Sequence, residues 1–136
     1  MRAEIVSPEG VLWSDEVDMV ITRTLGGGDI AFLAGHAPFV GALGTGVITI
    51  RPSSGGPDEK VACHGGFVEV SGDAENTTVT ILSDVAEISS QIDVQRARAA
   101  QERAEATLRH EHDAEAEAAL RRAHVRLEAA GQTASH

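Results

Sequence analysis

One cysteine, one tryptophan, three phenylalanines and no tyrosine stand among 136 residues, and lysine occurs once against ten arginines. A lone Cys63 excludes an internal disulfide, fits a reducing compartment, and in the run VAC reads as a small buried hydrophobe of a strand rather than a reactive thiol. The scarcity of rings leaves the core to aliphatic side chains. The basic charge that a nucleic-acid binder needs is also missing, because the net charge is −10. No apolar run approaches the roughly 18 residues of a membrane span, and the opening MRAEIVSPEG has no signal-like apolar stretch, so a soluble chain is expected. The glycine-rich segment LGGGDI has neither GK[ST] nor GxGxxG spacing, so its glycines read as turns rather than a phosphate loop.

What is present divides in two at SDVAEISSQIDVQRA, residues 83–97. The part up to Ala86 holds 12 acids and 4 bases, and the part from Glu87 holds 9 acids and 7 bases. In the first part, short β-type runs recur between glycines. They are Ala3–Ser7, Val11–Trp13, Val17–Arg23, Asp29–Leu33, Val47–Arg51, Lys60–His64, Phe67–Ser71 and Thr78–Ser83. That spacing predicts an antiparallel sandwich or flattened barrel, with Gly65-Gly66 as a bulge or tight corner.

From Ile92 the period changes to helical. Ala97, Ala100, Ala104 and Leu108 share one face, and Ala116, Leu120, Ala123, Leu127 and Ala130 share another. Asp93 is placed to N-cap the first helix, HEHD at 110–113 to turn the chain, and Gly131 to stop the second helix. The expected organisation is α+β: a β domain over 1–86, an antiparallel helical hairpin over 87–130, and a disordered tail over 131–136. Alanine faces favour the helix but bury little area, so the hairpin should be stable as helix and weakly held in place.

Candidate chemistry is sparse. His36 in the turn GHAP has no nucleophile or paired acid beside it, and His110, His112 and Asp113 in the interhelical turn read as solvated rather than as metal ligands. Asp93, Arg96 and Arg103 differ, because their spacing puts them on one face at a helix start, where anions are favoured. That face reads either as a phosphate-gripping row or as an N-cap with an ordinary ion pair.

The runs GGGDIAFLAGHAPFVGALGTGVITI, HGGFVEV, VTILSDVAE and IDVQRARAAQERAE occur in this order, and together they resemble the epsilon subunit family of bacterial F-type ATP synthases. The resemblance covers about Ala3 to Leu127. Ala31 and Ala34 depart from residues common in the family, and the arginine-for-lysine bias suggests a GC-rich genome. It implies a non-catalytic central-stalk subunit that couples proton flow to ATP synthesis. Such a subunit sits peripherally on the cytoplasmic face of the plasma membrane, with the gamma subunit, the c-ring and the alpha and beta subunits as partners.

The resemblance also implies an ATP motif at Ile92, Asp93, Arg96 and Ala97, with further nucleotide contacts at Glu87, Arg103 and Arg122. No cofactor is required, and ATP would be a regulatory ligand. The interhelical segment is shorter than in ATP-binding members by about four residues, roughly one helical turn, which shifts the hairpin register. In the same comparison Asp29 faces the c-ring and His36 lies toward gamma. Arg109, Arg121, Arg122 and Arg126 would meet an acidic segment of beta when the hairpin extends and blocks hydrolysis. The alternative, from a different class, is a stand-alone nucleotide sensor using the Asp93–Arg96 face. An enzyme with a site in the β half ranks last.

Overall fold

A computed structural model describes residues 1–132. Seven strands are followed by two helices: β1 (Arg2–Ser7), β2 (Gly10–Arg23), β3 (Asp29–Leu33), β4 (Phe39–Pro52), β5 (Glu59–Ser71), β6 (Thr78–Leu82), β7 (Ala86–Ile88), α1 (Val94–Leu108) and α2 (Ala114–Ala129). The sheet order is β1-β6-β5-β4-β2-β3, and an additional β1–β2 pairing closes it into a flattened barrel. The α+β class expected from the sequence is the class observed.

One pairing differs from the all-antiparallel expectation. β1 and β6 run parallel, with Arg2 opposite Thr78 and Val6 opposite Leu82. Seventy residues separate these strands in the chain, ample for the long connection that parallel neighbours require.

Several runs that read as separate strands are continuous. Val11–Trp13 and Val17–Arg23 are the two ends of β2, which bonds β1 along its first half and β4 and β3 along its second, with a register shift between Val17 and Met19. β4 runs through Gly41, Gly44 and Gly46 without a break. There the chain of β2 comes close: a Cβ on Gly46 would meet Arg23 Cβ at 2.9 Å, and one on Gly44 would meet the Thr24 carbonyl at 3.3 Å. β5 likewise passes through Gly65-Gly66, both at positive φ, and its register with β4 is the same on either side of the pair, so the bulge or corner expected there does not interrupt the strand.

Alternation along the strands fills the barrel. Val61, Cys63, Val68 and Val70 of β5 point inward with Ile48 and Ile50 of β4, Val79 and Ile81 of β6, and Phe32 of β3. Cys63 is fully buried, and burial raises its thiol pKa, so it behaves as the small hydrophobe expected. Its outward neighbour Ala62 is buried as well, because the hairpin lies over it. Ala62, Ile92 and Ala129 form a small cluster with Val47, Val125 and Ala130 packed around it.

The sheet continues past residue 86, the expected end of the β domain. Ala86–Ile88 pair with Cys63–Val61, and Glu87 therefore stands on a strand. The helices begin and end as their caps predict. The Asp93 carboxylate accepts from the Arg96 backbone N–H at 3.0 Å, and Asp113 does the same for Ala116 in α2. At the far end Gly131 takes φ +80, and the Gly131 and Gln132 amides bond back to the Glu128 and Leu127 carbonyls, a Schellman stop. The expected tail beyond residue 132 lies outside the described residues.

Candidate functional site

The hairpin lies across β4 and β5 and leaves a polar hollow at the seam. Its volume is about 440 Å³. It is lined by Val85, Glu87, Gln91, Asp93, Arg96, Ala97, Ala100, Arg103 and Arg126. Three arginines and two carboxylates thus converge from β7, the start of α1 and the last turns of α2. Each gets there for a local reason. β7 turns Glu87 outward, Asp93 is fixed by capping, and Arg96 and Arg103 are two turns apart on one helix face.

Arg126 is held by Glu87, its Nε donating to the carboxylate Oε1 at 2.6 Å. Such a set is able to grip an anionic chain through charge-assisted bonds while carboxylates accept from a sugar or base. A larger hollow of about 590 Å³ lies on the other side of His64, between Val6, Phe67, Leu82 and Val85, and no lysine or arginine lines it.

Of the seven residues that the sequence motif suggested for ATP, Glu87, Asp93, Arg96, Ala97 and Arg103 line the hollow together. Ile92 does not line it and is instead buried beneath the hairpin with Ala62 and Ala129. Arg122 is also elsewhere, donating to Glu115 at 2.8 Å along α2. Arg126, one turn later, takes the place beside Glu87. Helical periodicity places both arginines on α2 but does not say which of them comes to face α1.

The other expected contact residues are spread over the surface. Asp29 is exposed at the start of β3 and receives Arg23 Nε at 3.3 Å. His36 packs edge-on to Phe32 at 5.0 Å with its Nδ1 2.7 Å from the Ala37 carbonyl. Arg109 caps the end of α1, and Arg121 is exposed on α2. No group of three His, Cys, Asp or Glu able to hold a metal ion occurs among the described residues, and no described helix is long and apolar enough to cross a membrane.

Residues 1–89 match the family model for the β-sandwich domain of the ATP synthase delta/epsilon chain, and residues 90–131 match the model for its long α-helix domain. This chain belongs to the ATP synthase epsilon chain family. The epsilon chain of Bacillus pumilus is 41% identical over 135 residues, covering 97% of this chain and 98% of the relative. That of Streptomyces coelicolor is 42% identical over 130 residues, covering 96% and 94%. A chain in a solved Euglena gracilis mitochondrial ATP synthase, an assembly of OSCP, F1 and c-ring, superposes with a TM-score of 0.76 at 26% identity, covering 96% of this chain and 80% of that one. Membership in the epsilon family makes the chain a non-catalytic subunit of the synthase's central stalk rather than the catalytic one.

Proposed function

We propose that this epsilon subunit couples proton-driven rotation to ATP synthesis and restrains ATP hydrolysis through its C-terminal hairpin, with ATP as the ligand that holds the hairpin down. The observation that carries this reading is the convergence of Arg96, Arg103 and Arg126 with Glu87 and Asp93 in one hollow, to which α2 contributes Arg126 while it lies on the barrel. A ligand bound there bridges β7, α1 and α2, so it favours the docked arrangement over any in which α2 has left.

The small alanine-rich cluster under the hairpin supports mobility, since Ala62, Ala129 and Ala130 bury little area. Release would free Arg126 from Glu87 and present it with Arg109, Arg121 and Arg122 to an acidic segment of a beta subunit. The partners in this reading are gamma, the c-ring, and the alpha and beta subunits. It is supported by the family and by the F1/c-ring assembly in which the Euglena relative sits. Asp29, at the exposed start of β3, is assigned to the c-ring side and His36 to the gamma side. The location is the cytoplasmic face of the plasma membrane, held peripherally through those partners.

Isothermal calorimetry of ATP with the full chain and with Arg96→Ala tests the pocket. Binding to the parent that falls at least tenfold in Arg96→Ala is expected, since a charge-assisted phosphate contact contributes roughly 1.5–3 kcal/mol. Equal affinity in both would remove ATP from this hollow.

A further inference from the structure

His64 stands on β5 two residues beyond Ala62, so strand alternation puts both on the outward face that α2 covers. Its side chain is 5% exposed. Neither ring nitrogen has a hydrogen-bond partner among the described residues. Nε2 lies 3.5 Å from Glu87 Oε1, close enough to feel that charge, but Arg126 already donates to the same oxygen at 2.6 Å.

The charged groups facing the ring are therefore Glu87 from β7 and Arg126 and Arg122 from α2. Thr45, opposite on β4, brings no charge, and Asp84 lines the hollow on the ring's other side. Burial and the nearby Arg126 guanidinium, with a smaller part from Arg122, push the imidazole below its ordinary pKa and outweigh the pull of Glu87. A proton on this ring would add another cation around a carboxylate that Arg126 already occupies.

We propose that the seat of the hairpin is proton-linked: α2 docks over an uncharged His64, and a protonated His64 holds α2 off the barrel, so acidification shifts the chain from docked to released. The inference rests on the mobile hairpin of the preceding reading and adds a second ligand, the proton, that acts against the first.

The direction follows from the two environments of the ring. With α2 away, His64 loses the Arg126 and Arg122 charges and keeps Glu87 beside it, so its pKa rises back to at least the ordinary histidine value of about 6.5. Above that pH both arrangements carry a neutral ring, and docking does not depend on pH. Below it the released form takes up a proton that the docked form refuses. The docked-to-released ratio then falls by up to about tenfold per pH unit until the lower value of the covered ring is reached. Because Glu87 and Arg126 also line the nucleotide hollow, ATP affinity should fall over the same range.

The test uses the full chain without nucleotide, carrying probes at Ser54→Cys on an exposed turn and Glu111→Cys in the interhelical turn. Buried Cys63 stays unlabelled. The distance distribution is followed from about pH 8 to about pH 5.5, the range in which histidine changes charge. The expected result is a docked fraction that is flat above about pH 7 and falls below about 6.5. The same chain with His64→Gln should stay flat throughout. A parent that does not respond, or a His64→Gln chain that responds equally, overturns the link.

Ring NMR titration of the unsubstituted chain decides the matter if the substitution unfolds the protein or the docked fraction is too near unity to read. His64 should titrate below the ordinary imidazole value of about 6.5, and a midpoint at or above that value overturns the proposal. The two readings fail separately. A hairpin that ignores pH but leaves the barrel in the assembled synthase sinks only the proton link, whereas one that never leaves sinks both. A chain that does not bind ATP sinks only the nucleotide site.

Discussion

Arg126 and Glu87 are 27% and 30% exposed, and their 2.6 Å contact joins the last turns of α2 to β7. A charge-assisted bond this short and this sheltered contributes more than a solvated surface pair, which is worth about 0–1 kcal/mol. Arg126→Ala should therefore shift the docked-to-released ratio toward release by about tenfold, equivalent to about 1.4 kcal/mol. Labels on barrel and hairpin read this directly, and an unchanged distance distribution would show that the pair does not hold the hairpin. Arg121→Ala is the control, because that side chain is exposed on α2 and lines neither the hollow nor the surroundings of His64.

Gly66 takes φ +125, and a Cβ there would collide with the Leu82 carbonyl oxygen. Both the backbone conformation and the close approach of β6 exclude a side chain. Gly66→Ala should cost upward of about 2 kcal/mol and lower the thermal midpoint by several degrees. A melting curve superposable on the parent's would contradict the geometry.

β7 is only three residues long, yet its pairing with Val61–Cys63 decides where the β domain can be cut. A chain ending at Ala86 loses Glu87 and Ile88 and uncovers the β5 edge at Ala62 and Val61, whereas a chain ending at Gln91 keeps the whole pairing. Thermal unfolding of the two should place the shorter one lower by several degrees, and equal midpoints would mean that β7 adds nothing to the barrel.

Nothing in the run AEI announces this strand, since three residues are too few to show alternation and a glutamate sits in the middle. Its existence depends on an edge of β5 that no local pattern reveals. The continuity of β4 was hidden for the opposite reason. Gly41, Gly44 and Gly46 read as punctuation, while in the fold Gly41 makes room for the Phe39 ring and Gly44 and Gly46 for the chain at the end of β2. The elements with strong local signals were legible. The helices start at the capping aspartates and α2 stops at Gly131, and Ala97, Ala104, Ala116, Ala123 and Leu127 are buried as their period implies.

Gln101 is buried on the same face of α1 and was not legible, because a polar residue among alanines carries no hydrophobic signal. His64 was invisible as a covered residue for a related reason. Part of its surroundings, the Arg122 and Arg126 side chains of α2, lies more than fifty residues further along the chain. In the candidate site the residues local to the seam were readable, and the arginine contributed by α2 was not. Helical periodicity defines faces but not which turn of one helix meets another.

At the scale of the molecule, the acidic barrel and the arginine-bearing hairpin form a two-position device only if something selects between the positions. Swinging such an equilibrium from 1:99 to 99:1 takes about 5.5 kcal/mol of differential affinity. ATP at a hundred times its dissociation constant supplies about 2.7 kcal/mol of that. The remainder would have to come from contacts that the released hairpin makes within the synthase, so inhibition belongs to the assembly rather than to the isolated chain.

Hydrolysis by an epsilon-depleted catalytic complex, titrated with the full chain and with residues 1–91, checks this. The full chain should inhibit and the shorter chain should bind without inhibiting. With ATP low enough to leave the hollow empty, inhibition by the full chain should deepen, because an unoccupied pocket no longer holds α2 against the barrel. If residues 1–91 inhibit as strongly as the whole chain, the brake lies in the barrel, and the arginines of the seam serve only to pack a helix start.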